Sequence, residues 1–202
     1  MDAASLLTLP HAILFDMDGT ITEPMLDFPR IKAEMGIGPG PILESLAALP
    51  GEARAVAEAV LLRHEADAAE RSRLNPGCRE LLAWLSGRRI KTALITRNSR
   101  LSVSQVIGRH GLEFSVLISR EDAPPKPDRA PLLLACRMLG VCQDQSWMIG
   151  DSGHDIEAAS AAGMRSVWIS HRVQKSFAAG PWKTVADLHA LRKMLERIVP
   201  LH

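Results

Sequence analysis

Two hundred and two residues make one domain, or one domain with an insertion, and 47% hydrophobic with 23% charged residues argues against disorder as the main state. Twenty-four Lys and Arg against 23 Asp and Glu leave a net charge of +1, and aromatics are 4% with no tyrosine. Bulk-charge binding to nucleic acid or anionic membrane is therefore disfavoured, and no base-stacking platform is evident. Three cysteines without a CxxC spacing argue against a disulfide framework and a zinc site. The first seven residues, Met1-Asp2-Ala3-Ala4-Ser5-Leu6-Leu7, begin acidic and lack the basic and long apolar regions of a signal peptide. No apolar run reaches the ~18 residues of a membrane helix. A soluble, cytoplasmic protein is expected.

In chain order, the first apolar run is Ala12-Ile13-Leu14-Phe15, which stops at Asp16. A segment from Thr22 to Leu74 then carries no strand pattern. It holds a Pro/Gly stretch, Gly36-Ile37-Gly38-Pro39-Gly40-Pro41, read as a hinge or turn because it does not join a strand to a helix. Residues 52–73 are alanine-rich and helical by propensity, with Arg63/Asp67 and Asp67/Arg71 spaced as i,i+4 pairs. Four more short runs follow: Thr92-Ala93-Leu94-Ile95, Val116-Leu117-Ile118, Trp147-Met148-Ile149 and Ser166-Val167-Trp168-Ile169. Each suits a strand buried on both faces of a parallel sheet. Helical patterns lie around residues 76–87, 98–110, 127–140 and 153–163. Asn98 and Ser99 are candidate caps, Gly111, Gly140 and Gly163 candidate ends, and Pro131 a first-turn proline. A last helix is expected at about 184–197, with Val185, Leu188, Leu191, Met194 and Leu195 on one side. The alternation predicts an α/β fold with a parallel sheet flanked by helices. Residues 22–74 form a helical insertion, and residues 1–21 and 75–202 the main body.

Ligands collect at the carboxyl ends of such strands. There the sequence places Asp16-Met17-Asp18-Gly19-Thr20, then Thr96-Arg97-Asn98, then Pro125-Lys126-Pro127, then Gly150-Asp151-Ser152-Gly153-His154-Asp155. Four carboxylates crowded together repel unless a cation joins them, and oxygen ligands without a His or Cys cluster favour Mg²⁺. With Lys126 as the remaining positive charge, the set points to phosphoryl transfer.

Those four motifs, in that order, resemble the haloacid dehalogenase superfamily along essentially the whole chain. Asp155-Ile156-Glu157-Ala158-Ala159 and Ala162-Gly163-Met164 are similar to its phosphoglycolate-phosphatase-like branch, whose helical cap occupies the place of the insertion. The resemblance implies a Rossmann-like core and a Mg²⁺-dependent phosphatase acting on a small-molecule phosphate ester. It assigns Asp16 as nucleophile, Asp18 as general acid and base, Thr96 as phosphoryl binder and Lys126 as the charge that neutralises both. It implies Mg²⁺ on Asp16, the Asp18 carbonyl and Asp151, with Asp155 binding directly or through the surrounding shell. Asp155 also lies where it could serve the helix dipole alone. Gly19 would let the backbone approach closely, and Arg97 and Asn98, at the pocket mouth, could touch substrate. Arg30 and Lys32 in the insertion could do the same. His154 is read as an exposed helix-start residue, the other histidines as lacking ligand spacing, and Cys78, Cys136 and Cys142 as small buried hydrophobes.

Asp18 argues against carbon–halogen cleavage, because a leaving alkoxide needs a proton and a halide does not. A phosphomutase would need a cap that excludes water, and the insertion is short with no clear mutase signature. A phosphonate hydrolase would want a cap lysine, and Lys32 lies in no recognisable motif. A phosphoprotein phosphatase and a non-catalytic binding protein remain as alternatives, although none of Asp16, Asp18 and Asp151 is lost.

Overall fold

Every residue of Ala12–Phe15 (β1) is buried, as are the last four of Lys91–Ile95 (β2) and all of Ser146–Gly150 (β4). In the computed structural model, which describes residues 8–198, these strands and Val116–Ile118 (β3), Arg165–Ile169 (β5) and Lys183–Val185 (β6) form one sheet. Its order is β3-β2-β1-β4-β5-β6, parallel throughout. Residues 1–7, read above for signal-peptide features, lie outside the described residues, as does His202. This is the Rossmann-like arrangement expected. Its order reverses between β1 and β4, which opens a crevice at their carboxyl ends.

Alternation along the strands sends side chains to two apolar layers. Ile13, Phe15, Leu94, Trp147 and Ile149 pack with Cys78–Gly87 (α4), Arg100–His110 (α5) and Leu188–Glu196 (α8), through Leu81, Leu85, Val103, Val106, Leu191 and Leu195. Ala12, Leu14, Ala93, Ile95 and Met148 pack on the opposite face with Ala130–Leu139 (α6) and Gly153–Ala161 (α7). Ser99 caps α5 by accepting the Ser102 N–H, Gly111 and Gly140 close their helices in the left-handed conformation, and Pro131 stands in the first turn of α6.

Between β1 and α4 lie Phe28–Met35 (α1), Ile42–Ala47 (α2) and Gly51–Arg71 (α3). They enclose an apolar cluster of their own, including Ile31, Met35, Ile42, Leu46, Ala57 and Leu61. The chain enters and leaves this insertion side by side: Thr22 bridges Leu74, and the Glu23 N–H donates to the Arg73 carbonyl at 2.9 Å. The Pro/Gly stretch is the turn between α1 and α2, with left-handed Gly36 ending α1.

Four expectations are corrected. Residues 183–185 form a sixth strand, and α8 starts only at Leu188, where Asp187 accepts the Ala190 N–H at 2.8 Å. Val185 therefore belongs to the sheet, not to the helical stripe. Arg63 does not turn to Asp67 but crosses to Glu34 on α1 at 2.6 Å, because Glu34 also gathers Arg30 and His64, each at 2.9 Å. Arg71 donates instead to the Asp67 carbonyl. Cys142 is exposed, since it precedes the one-turn 3₁₀ helix 143–145 at the surface, whereas Cys78 and Cys136 are buried as expected.

Candidate active site

The carboxyl ends of β1, β2 and β4 and the loop before α6 bring the predicted residues to one crevice. Asp16, Asp18, Thr96, Arg97, Asn98, Lys126 and Asp151 all line a cavity of about 510 Å³. Asp16 follows β1 directly and its N–H donates to the Ile149 carbonyl of β4 at 2.9 Å, which fixes the backbone across the switch point. Lys126 is 1% exposed, and its ammonium donates to three acceptors: Asp16 Oδ1 at 2.6 Å, Asp155 Oδ1 at 2.6 Å and the Ile95 carbonyl at 2.7 Å. Asp155 lies beneath the cavity, fully buried, and its second oxygen accepts the Ser152 hydroxyl at 2.6 Å and the Ser152 N–H at 3.1 Å. It thus serves the helix start and the lysine together.

Two glycines make this density possible. A Cβ on Gly150 would come within 2.3 Å of the Asp155 carboxyl. A Cβ on Gly19, whose φ is +81°, would meet the Asp151 carboxyl at 2.4 Å. Asp18 is held differently from Asp16. Its Oδ2 accepts from the Asn98 amide at 2.5 Å and its Oδ1 from the Thr22 hydroxyl at 3.2 Å. Thr96 Oγ1 accepts the Asn98 N–H at 3.1 Å, so Asn98 is fixed at both ends.

A family model for haloacid dehalogenase-like hydrolases matches residues 32–169. The chain belongs to that hydrolase family. It is 32% identical over 167 residues to a haloacid dehalogenase-like hydrolase domain-containing protein of Arabidopsis thaliana, covering 76% of this chain and 68% of the relative. It is 30% identical over 215 residues to a phosphoglycolate phosphatase of Pseudomonas putida, covering 91% of this chain and 79% of the relative. In fold it resembles a hydrolase structure from Pseudomonas syringae, with a TM-score of 0.80 at 19% identity over 93% of this chain and 99% of that one.

In this member of the family, the carboxylates of Asp16, Asp151 and Asp155 offer oxygens all within 4.8 Å of one another. Three carboxylates against the buried Lys126 ammonium, with only the exposed Lys175 nearby at the Asp151 carbonyl, leave a surplus of negative charge. Burial, reinforced against Lys126 by the Asp155 and Asp151 charges, pushes the Asp16 carboxyl well above the usual range. Burial and then Asp155 push Asp151 up to about 6. An oxygen-only donor set with surplus negative charge fits a hard divalent cation such as Mg²⁺. Asp18 is not one of the trio. Burial raises its carboxyl too, while the Asn98 and Thr22 hydrogen bonds oppose the shift. For Lys126, burial works to lower the pKa, but Asp155 and Asp16 outweigh it and the net shift is upward.

Arg97 does not project freely into the cavity. It pairs with Glu44 of α2 at 2.8 Å and donates to the Lys126 carbonyl. Arg30 is occupied by Glu34 outside the cavity, whereas Lys32 lines it. His154, expected to be exposed, is half-buried in the cavity wall, because it stands in the first turn of α7, whose start lines the cavity. Burial first, then Arg97, lower its pKa. Sequence reasoning missed Glu44, Glu65 and Lys175 in the lining, and His171, whose Nε2 lies 2.6 Å from the Gly19 carbonyl. A signal existed for the last two. The segment after β5 ends a strand at the same edge, and Lys175 there donates to the Asp151 carbonyl at 3.2 Å.

Proposed function

We propose that the chain is a Mg²⁺-dependent phosphatase that hydrolyses a small organic phosphate monoester through an aspartyl-phosphate on Asp16. The observation that carries this reading is the unequal environment of two carboxyls in one cavity. Asp16 sits against Lys126 within the carboxylate trio, whereas Asp18 is bonded only by the neutral donors Asn98 and Thr22. Two carboxyls held in contrasting surroundings can divide nucleophile and acid roles between them.

Asp16 attacks phosphorus, and the ester P–O bond breaks as Asp18 gives its proton to the leaving alkoxide. Asp18 then takes a proton from the water that attacks the acyl phosphate. Inorganic phosphate leaves and the Asp16 carboxylate is restored. Thr96, Lys126 and the backbone N–H groups at the strand ends hold the phosphoryl oxygens. Asp16, Asp151 and Asp155, with the Asp18 carbonyl, would hold Mg²⁺, which when bound neutralises carboxylate and phosphoryl charge and keeps Asp16 ionised.

Residues 22–74 act in this reading as a cap over a body formed by 1–21 and 75–202, hinged where Thr22 meets Leu74. Leu26, Ile42, Leu43 and Leu61 give the cavity an apolar roof above its polar floor. That suits a small ester whose phosphate reaches the strand ends while its organic part meets the cap. The phosphoglycolate phosphatase relatives support a small ester of that size. A cytoplasmic enzyme is part of the same reading. Among the described residues, no helix is long and apolar enough to cross a membrane.

The test is phosphate release from a panel of phosphoglycolate, sugar phosphates, nucleotides and an aryl phosphate, with Mg²⁺ and with EDTA. Release that stops with EDTA and is abolished in Asp16→Asn supports the reading. Full turnover in Asp16→Asn, or no release from any ester by folded protein, overturns it.

A further inference from the structure

Glu65 is a carboxylate with 2% exposure on α3, a helix of the insertion, and it faces the main body at the edge of the cavity. Its Oε2 accepts the N–H of Ser99, the first residue after the Thr96–Asn98 loop, at 3.1 Å. Its Oε1 pairs with Arg120, whose side chain is 8% exposed. Arg120 follows β3, and it holds the same loop from the other side. Its backbone N–H donates to the Asn98 carbonyl at 3.1 Å, and its guanidinium donates to the Arg97 carbonyl at 3.5 Å. Arg97, Asn98 and Ser99 are thus each fixed through their backbone by this pair. The Asn98 amide, at the centre of the clamped stretch, is the group that reaches Asp18 Oδ2 at 2.5 Å.

A buried ion pair adds little net stability over apolar packing of the same volume, because desolvation offsets its attraction. What the pair supplies here is orientation. Four residues earlier on α3, Leu61 meets its surroundings with an ordinary apolar side chain. The charged residue stands where the helix meets the loop that orients Asp18. Without Glu65, the carboxylate left to Arg120 is Glu121, 3.9 Å away, and the Ser99 N–H loses its acceptor.

We infer that Glu65 is a positioning residue through which the seated insertion fixes, by way of Ser99 and Arg120, the Asn98 amide that orients Asp18, an inference that rests on the phosphatase reading above. Docking of α3 and competence of the acid are thereby one event. Glu65 itself touches no reacting atom.

A general acid matters most when the leaving group is poor. The experiment compares an alkyl phosphate with p-nitrophenyl phosphate, whose leaving group departs without a proton, in wild type, Glu65→Ala, Glu65→Gln and Asn98→Ala. General acid catalysis is worth about 100-fold or more. Glu65→Ala is therefore expected to lower kcat/KM, which covers only the steps through aspartyl-phosphate formation and not the later water step shared by both esters, by about 10–100-fold on the alkyl ester and by under about 3-fold on the aryl ester. Glu65→Gln keeps size and one acceptor and falls between; it carries the comparison if the alanine variant does not fold. Asn98→Ala reproduces the pattern, and adding Glu65→Ala to it costs no further activity on the alkyl ester, as expected when one residue acts through the other. Equal losses of kcat/KM on both esters, or fully additive losses in the double variant, overturn the inference while leaving the phosphatase intact. A wild type silent on both esters overturns the phosphatase reading and this inference together.

Discussion

Lys126 is the one ammonium among the three carboxylates of the trio, and its removal tests the electrostatics of the whole site. In Lys126→Met the side chain keeps nearly the same volume, so no cavity complicates the result. Asp16 and Asp155 each lose a 2.6 Å ion pair. Removing one partner of a buried pair costs roughly 3–5 kcal/mol. Asp155 keeps its two bonds from Ser152, and the Asp16 side chain is 13% exposed, so water can reach it. The lower end of that range, about 3 kcal/mol, is therefore expected. For a chain of this size each kcal/mol moves Tm by about 2–4 °C, which predicts a fall of about 6–12 °C in EDTA at pH 7.5. The sign with pH follows from the shifts. The folded pKa of Lys126 is raised above 10.5, so its contribution is complete at pH 7.5 and is lost only as pH rises through the folded value. In the variant, a proton on Asp16, whose carboxyl burial already raises, relieves the stranded charge, so the deficit shrinks at pH 5. Thermal melts of both proteins at the two pH values, in EDTA, are the assay. A deficit below about 1 kcal/mol, or one that grows as pH falls, would refute the reasoning.

Gly19→Ala sets a Cβ 2.4 Å from the Asp151 carboxyl at φ +81°, so phosphate release should drop by roughly 100-fold or more while the far-UV spectrum is retained. The metal-free protein carries Asp151 at about 6, raised above its unfolded value. It should lose stability as pH rises from about 4 towards 6, and added Mg²⁺ should raise Tm more at pH 7.5 than at pH 5. An equal Mg²⁺ effect at both pH values would remove that trio as the cation site. Cys142 is exposed while Cys78 is buried with its thiol pushed up to about 12. Mass spectrometry after brief iodoacetamide treatment should find native protein alkylated at Cys142 alone, and unfolded protein alkylated at Cys78, Cys136 and Cys142.

Five strands were readable because each is a short, nearly continuous apolar run; four of those runs are buried on both faces, and β3 keeps the signature although its Leu117 is exposed. β6 left none: Lys183 and Thr184 are exposed at the sheet edge, and its apolar anchor is the preceding Trp182, packed at a 57° tilt against Trp147 with ring centroids 4.8 Å apart. The residues gathered at the cavity divide in the same way. Asp16, Asp18, Thr96 and Asp151 stand next to strand ends, so local sequence and the sheet's parallel order suffice to bring them together. Glu44 and Glu65 come from helices of the insertion, and only the packing of those helices on the body decides which of their many charged residues turn inward. The sequence marks residues 52–73 only as an alanine-rich helix, and Glu65 differs from Glu58 or Glu70 only in the face it occupies.

Asp155 shows how far a local reading extends before packing takes over. Its position after Gly153 allowed a helix-start role or a metal role, and the sequence left both open. The structure gives its two oxygens to different partners, Oδ2 to Ser152 and Oδ1 to Lys126. This division depends on the missing side chain at Gly150, where a Cβ would lie 2.3 Å from the Asp155 carboxyl. Gly150 ends a strand five residues earlier, with a φ open to any residue, so no turn requirement marks it as special. The glycine is needed for space, and space of this kind is a property of the folded site, to which Lys126 contributes from 29 residues away.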